Sequence, residues 1–184
     1  MTACVSVSSS ILESINSCPL RSVAGNGALT FNGFKLRALF VKPDAATQHF
    51  IYGVNFEFSY NTEHWNQNRD KQEIRLILGG HVGPLDVIVN PILDNSYKGI
   101  SEFDIAPDTR VAYDFNKTWA VAAEECDDFG ALRKFYAFTH QQHQLFGVFD
   151  YNGKPWMVEG GVGLGLTGAT DKVVLKLILS RDLN

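Results

Sequence analysis

Phe50-Ile51-Tyr52-Gly53-Val54-Asn55-Phe56-Glu57-Phe58-Ser59-Tyr60 decides how this chain is read. Successive side chains of a strand point to opposite faces. Tyr52, Val54, Phe56, Phe58 and Tyr60 therefore share one face, and Gly53, Asn55, Glu57 and Ser59 share the other. One side is oily and aromatic, the other small and polar. The ribbon matches the roughly 9–11 residues that a tilted strand needs to cross a bilayer. Tyr stands at both ends of its oily face, where rings would meet two membrane–water boundaries.

The alternation recurs. Phe103, Ile105, Val111, Tyr113 and Phe115 oppose Glu102, Asp104, Asp108, Arg110 and Asp114. Trp156, Val158, Val162, Leu164 and Leu166 oppose Met157, Glu159, Gly161, Gly163 and Gly165. Val173, Leu175, Leu177 and Leu179 oppose Lys172, Lys176 and Ser180, and Ile74, Leu76 and Leu78 oppose Glu73 and Arg75. Residues 33–42, 119–126 and 142–151 carry apolar side chains on both faces.

Gly, Pro and Asn mark tight turns near 43–46, 80–84, 116–118 and 152–155, spaced about 36 residues apart. More polar, longer connections fall at 61–70, 95–100, 127–141 and 167–171. The spacing predicts nine visible strands, at 33–42, 49–60, 71–79, 85–94, 101–115, 119–126, 142–151, 156–166 and 172–181. Short turns at one end and long loops at the other are the asymmetry of an up-and-down barrel. The expected fold is therefore all-β, an antiparallel up-and-down transmembrane-type β-barrel over residues 29–184. Residues 1–28, Ser-rich and without a two-faced pattern, are expected to be poorly ordered or misassigned.

Composition narrows the classes. No run approaches the 18 apolar residues of a membrane helix. A net charge of -4 without a basic stripe argues against a nucleic-acid binder. The three cysteines, Cys4, Cys18 and Cys126, have no metal-ligand spacing, and their odd number fits a disulfide framework poorly. The start lacks the basic and continuous apolar stretches of an export signal. Bacterial single-chain barrels have even strand numbers, so nine strands call for one or more upstream. The expectation is an amino-terminally truncated chain.

Alternation alone leaves open which face is inside. A lipocalin-like soluble barrel buries its oily face, whereas a membrane barrel turns it to lipid. Aromatics beside turns, polar faces of Gly, Asn, Ser and mixed charge, and more strands than a lipocalin's eight favour lipid. The aromatics expected at the boundaries are Tyr52, Tyr60, Phe115, Trp119, Tyr151 and Trp156. The expected lumen set is Arg37, Glu57, Glu73, Arg75, Asp86, Glu102, Asp104, Asp108, Arg110, Asp114, Glu159 and Lys176. These charges could pair across a narrow barrel or line a cation-leaning path.

Other constellations carry less. Glu124, Glu125, Asp127 and Asp128 are acidic but lack a calcium-loop spacing. His140 and His143 would point to opposite faces of a strand, so no metal site is expected. The glycines of 160–165 sit inside a strand rather than in a strand–turn–helix nucleotide loop, and read as room for packing or bending. No Gly-x-Ser-x-Gly elbow supports Ser101, His143 and Asp104 as a triad, so no catalytic residue, enzyme activity or cofactor is expected.

Residues 104–113, 160–172 and 177–183 resemble bacterial outer-membrane β-barrel proteins, a largely uncharacterised group with porin-like relatives often labelled as transporters. The resemblance runs from about Phe31 onward, although the chain ends on Leu183-Asn184 rather than on an aromatic residue. It implies a bacterial outer-membrane location, a lipid bilayer as partner and passive passage of small solutes. The alternatives are a non-conducting structural or adhesive barrel acting through its loops, and a soluble lipid-binding barrel. Oligomeric state and solute stay open.

Overall fold

The computed structural model describes residues 4–5, 33–42, 49–61, 70–95 and 103–181. Its strands are β1 (Cys4–Val5), β2 (Gly33–Val41), β3 (Phe50–Asn61), β4 (Asp70–Val82), β5 (Leu85–Asn90), β6 (Ile92–Asn95) and β7 (Asp104–Ile105). Then follow β8 (Asp108–Asp114), β9 (Trp119–Asp128), β10 (Gly130–Ala131), β11 (Gln142–Asn152), β12 (Trp156–Gly165) and β13 (Val173–Arg181). All belong to one sheet. Every pairing from β2 to β13 is antiparallel; β1 lies parallel to β13 over two residues.

Prolines and a bulge explain why there are more segments than the nine predicted strands. Pro91 has no N–H to give to a ladder, and it separates β5 from β6, both of which pair with β4. Its carbonyl still accepts from the Leu76 amide at 3.0 Å. Pro107 likewise separates β7 from β8 while accepting from Asp127 N–H at 3.1 Å. Between β9 and β10 the chain bends at Gly130, whose φ of 80° suits glycine, and the Asp128 carboxylate accepts its N–H at 2.8 Å. Rejoined across these breaks, the segments from β2 onward are the nine strands expected. The strand predicted at 119–126 runs two residues further, and part of the connection predicted at 127–141 is strand or bulge.

The turns follow their residues. Gly83 takes φ 62° in the tight turn into β5. The Asn116 side chain accepts from Thr118 N–H at 2.8 Å and from Trp119 N–H at 3.1 Å, closing β8 onto β9. Longer connections occupy the opposite rim, where residues 132–141 carry a 3-10 turn at Phe138–His140.

The sheet is not closed: among the described residues no pairing joins β2 to β13. It is nevertheless strongly curled. Arg110 on β8 reaches Glu159 on β12 at 3.8 Å, three ladder steps away. The face that carries them is buried although all the described strands belong to one sheet, so the sheet curls about that face. Curling puts one set of faces inside and the other outside.

That division is inverted relative to a water-soluble fold. Glu57, Arg75, Asp108, Arg110, Glu124, Asp150, Glu159 and Lys176 are buried, with Lys176 5% exposed. Leu36, Phe40, Tyr52, Phe56, Leu76, Val111, Leu164, Leu175 and Leu177 are exposed, Leu36 at 63%. The inner face also carries two apolar clusters. One gathers Ile51, Ile77 and Ile88; the other gathers Ala112, Ala122, Phe146 and Val148.

Phe146 accounts for part of the glycine run. It lies opposite Gly163 in the β11–β12 ladder and is fully buried. A Cβ on Gly163 would stand 2.3 Å from its ring, so the glycine makes the niche that the ring fills. Gly163→Ala is expected to destabilise the fold by roughly 1–3 kcal/mol through overpacking. Gly147→Ala, with nothing within 4 Å of its Cβ, is the control. Unfolding midpoints of the two variants check this, the first falling and the second staying near the parent.

Candidate functional site

Five consecutive wall strands send charges to one level of the interior. Arg110 on β8 binds Glu124 on β9 and Asp150 on β11, and approaches Glu159 on β12. Lys176 on β13 binds Glu124 and, at 2.5 Å, Glu159. Its ammonium also stands 5.9 Å from the centre of the Phe146 ring. Two cations thus share three carboxylates, and each cation bridges non-adjacent strands. Burying an unpaired charge costs several kcal/mol, so the cluster holds together only as a set.

A second group lies on the neighbouring part of the wall. Arg75 on β4 binds Glu73 at 2.8 Å and reaches Asp108 on β8 at 3.5 Å. Arg75 faces Asn55 across the β3–β4 ladder. Asn55 is fully buried, and neither its Nδ2 nor its Oδ1 has a hydrogen-bond partner among the described residues. Oδ1 of Asp150 is similarly unpartnered among them.

Of the expected lumen set, Glu57, Arg75, Asp108, Arg110, Glu159 and Lys176 are buried. Glu73, Asp86 and Asp104 are half-buried. Asp86 binds His81 across the β4–β5 ladder. Asp114 is exposed at the short-turn rim, next to the 115–118 turn. Glu102 and the side chain of Arg37 lie outside the described residues, although Arg37 stands opposite Glu57 in the β2–β3 ladder.

Two members of the central cluster escaped the sequence reading. Glu124 falls in one acidic run with Glu125, Asp127 and Asp128, yet strand parity separates it from Glu125, which is exposed. Asp150 lies within the strand predicted at 142–151 but is absent from the expected lumen set, and it is buried. In both strands the signal was blurred because the inner face carries Ala120, Ala122, Phe146 and Val148 beside the acids.

Aromatic residues collect at the rims. Trp119 packs against Tyr151 and Phe149, with ring centres 4.6 and 5.0 Å apart, and Tyr113 against Phe115 at 5.3 Å. Arg181 lies 5.3 Å from the centre of the Trp156 ring. Tyr52, Phe115, Trp119 and Trp156 are exposed, and Tyr60 and Tyr151 are half-buried. At the long-loop rim the His143 Nδ1 sits 2.7 Å from the Asp127 carboxylate and Nε2 sits 3.1 Å from Gln141 Oε1. Phe138 stacks on the His143 ring, with centres 5.4 Å apart. This pair braces the 132–141 connection. His140 is exposed and takes no part in the pair. No cluster of potential metal ligands occurs among the described residues, and Ser101 lies outside them.

No family model, no curated protein and no solved structure matches the chain.

Removing Lys176 leaves Glu124 and Glu159 short of a counter-charge. Lys176→Met is expected to cost about 3–5 kcal/mol. Lys71→Ala, which breaks a half-exposed pair with Asp94 at 3.3 Å, should cost less than about 1 kcal/mol. Adding Glu159→Gln to Lys176→Met should recover part of the loss, since the two sites interact directly. Denaturant titration of the three variants against the parent measures all three terms.

Proposed function

We propose that the chain is a membrane-embedded β-barrel wall of the bacterial outer-membrane type, whose interior ion pairs knit the strands together. The single observation that carries this reading is the inversion of the two faces. An outer band rich in exposed Leu, Val, Phe and Tyr has no water-side rationale, because a soluble protein rarely exposes an apolar patch of more than a few hundred Å². In hydrocarbon the same band is the favoured surface, and the buried charges occupy the side shielded from lipid. Rings of Trp119, Tyr151 and Trp156 at the short-turn rim suit the headgroup boundary.

The interior favours the non-conducting form. In a narrow barrel side chains fill the lumen, and Arg110 and Lys176 are committed to carboxylates across five strands. The outward role then falls to the long-loop rim, where Leu132, Phe135, Tyr136 and Phe138 are exposed. A second reading, passive passage of small solutes, is favoured by Asn55 and Asp150, whose unpartnered polar atoms would suit a water-lined path. Planar-bilayer recording separates the two: the non-conducting reading expects no reproducible single-channel steps, and steps would establish the other.

The bilayer reading has its own test. Leu177 sits mid-strand on the outer face of β13. Leu177→Arg is expected to lower stability in lipid vesicles by roughly 2–4 kcal/mol. A near-neutral effect, with the full chain folding in detergent-free buffer, would remove the membrane from the account.

A further inference from the structure

Two neighbouring hairpins at the short-turn rim carry nearly the same residues. Phe115-Asn116-Lys117-Thr118-Trp119 closes β8 onto β9, and Tyr151-Asn152-Gly153-Lys154-Pro155-Trp156 closes β11 onto β12. Each puts a lysine at the tip, with an aromatic residue before it and a tryptophan after it. The two tips are held side by side. The Asn116 side chain accepts from the amides of Thr118 and Trp119, and Asn152 N–H donates to the Thr118 carbonyl at 2.7 Å. Trp119 faces Tyr151 across the β9–β11 ladder, and Lys117 and Lys154 are both exposed.

The same pairing of cation and ring recurs on the outer face at this rim. Arg181 stands opposite Trp156 in the β12–β13 ladder, on the outward parity of Leu177 and Leu179, with its guanidinium 5.3 Å from the ring centre. Lys42, just past the end of β2, lies 5.6 Å from the centre of the outward Tyr52 ring. Among the described residues, the acids nearest this rim belong to the inner face: Asp86 opposite Ala112, and Asp114 and Asp150 opposite Ala120. At the long-loop end the outer face carries acids instead, Asp70 opposite Tyr60 and Glu125 opposite Leu145. Lysines at turns alone read as a solvated edge. Cations seated on outward rings at one end, with outward acids at the other, do not.

We propose that the outer edge of the short-turn rim is a docking surface for anionic phospholipid headgroups, with Lys117, Lys154 and Arg181 taking the phosphates beside Trp119, Tyr151 and Trp156. The inference rests on the bilayer reading and names the lipid that this rim prefers. Trp and Tyr rings settle at the headgroup boundary. Lysine and arginine extend their charged ends beyond such a boundary while their stems stay along apolar surface. The three cations therefore stand at the depth of the phosphates. Each cation near an anionic surface favours contact by about 5-fold, an attraction that a zwitterionic headgroup does not offer. The clamped tips also lower the cost of ordering the site on contact.

Its test is a lipid competition on the full chain in its Trp65→Phe form, reconstituted in vesicles that mix phosphatidylcholine with phosphatidylglycerol. Bromine near the headgroup is carried by one lipid or by the other, so quenching of Trp119 and Trp156 reports which lipid sits at their rim. The expected result is a preference for phosphatidylglycerol of about 5-fold or more. It should fall toward parity in about 1 M salt, where charges are screened over roughly 3 Å. Combining Lys117→Gln, Lys154→Gln and Arg181→Gln should abolish the preference while both lipids still quench. Lys172→Gln, at the long-loop rim, should leave it as in the parent. Equal quenching by the two lipids in the parent would overturn the inference alone, and so would a preference that survives in the triple variant. No quenching by either lipid would remove the bilayer reading and this inference with it.

Discussion

Arg110 and Lys176 constrain everything around them. A guanidinium and an ammonium cannot sit inside a folded chain without carboxylates at close range, and each here draws on strands that are not its neighbours. That requirement favours the curl, because bending the sheet toward its charged side brings Arg110, Lys176 and their carboxylates together and shields them from solvent. It also fixes register. A slip of one residue in β13 would send Lys176 outward and a leucine inward, so the charge cluster and the outer apolar band are set by the same choice.

The apolar band follows as the necessary complement. With long charged side chains filling the concave side, the leucines and aromatics of each strand have nowhere to go but out. The small inner residues make this possible. Ala112, Ala120, Ala122 and Gly163 leave room for Arg110, Lys176 and the Phe146 ring, and bulkier residues there would force the wall open. In water such an outer face would associate with itself; in a bilayer it is solvated. The proposed membrane role is therefore the medium in which the observed packing is least frustrated.

Much of this was legible in sequence where alternation was clean. The strands beginning near 50, 71, 156 and 172, their outward faces, and the inward Arg75, Arg110, Glu159 and Lys176 could all be read from parity and turn chemistry. Legibility failed where the inner face was itself apolar. β9 and β11 present apolar residues on both sides, so parity there does not single out Glu124 and Asp150, two anions of the central cluster, as members of the inner face. Pro91 and Pro107 break ladders without breaking the strand direction, which periodicity cannot show. The barrel expected from sequence is an open sheet among the described residues, since pairing between distant strands such as β2 and β13 depends on chain direction and not on local pattern.

The central claim is that the aromatic and aliphatic outer face meets lipid. Quenching of Trp119 and Trp156 fluorescence by brominated lipids tests it most directly, in vesicles containing the Trp65→Phe form of the full chain. The account predicts strong quenching by lipids brominated near the headgroup, weaker quenching by those brominated at the chain ends, and little by aqueous iodide. Efficient iodide quenching with no effect of any brominated lipid would contradict it.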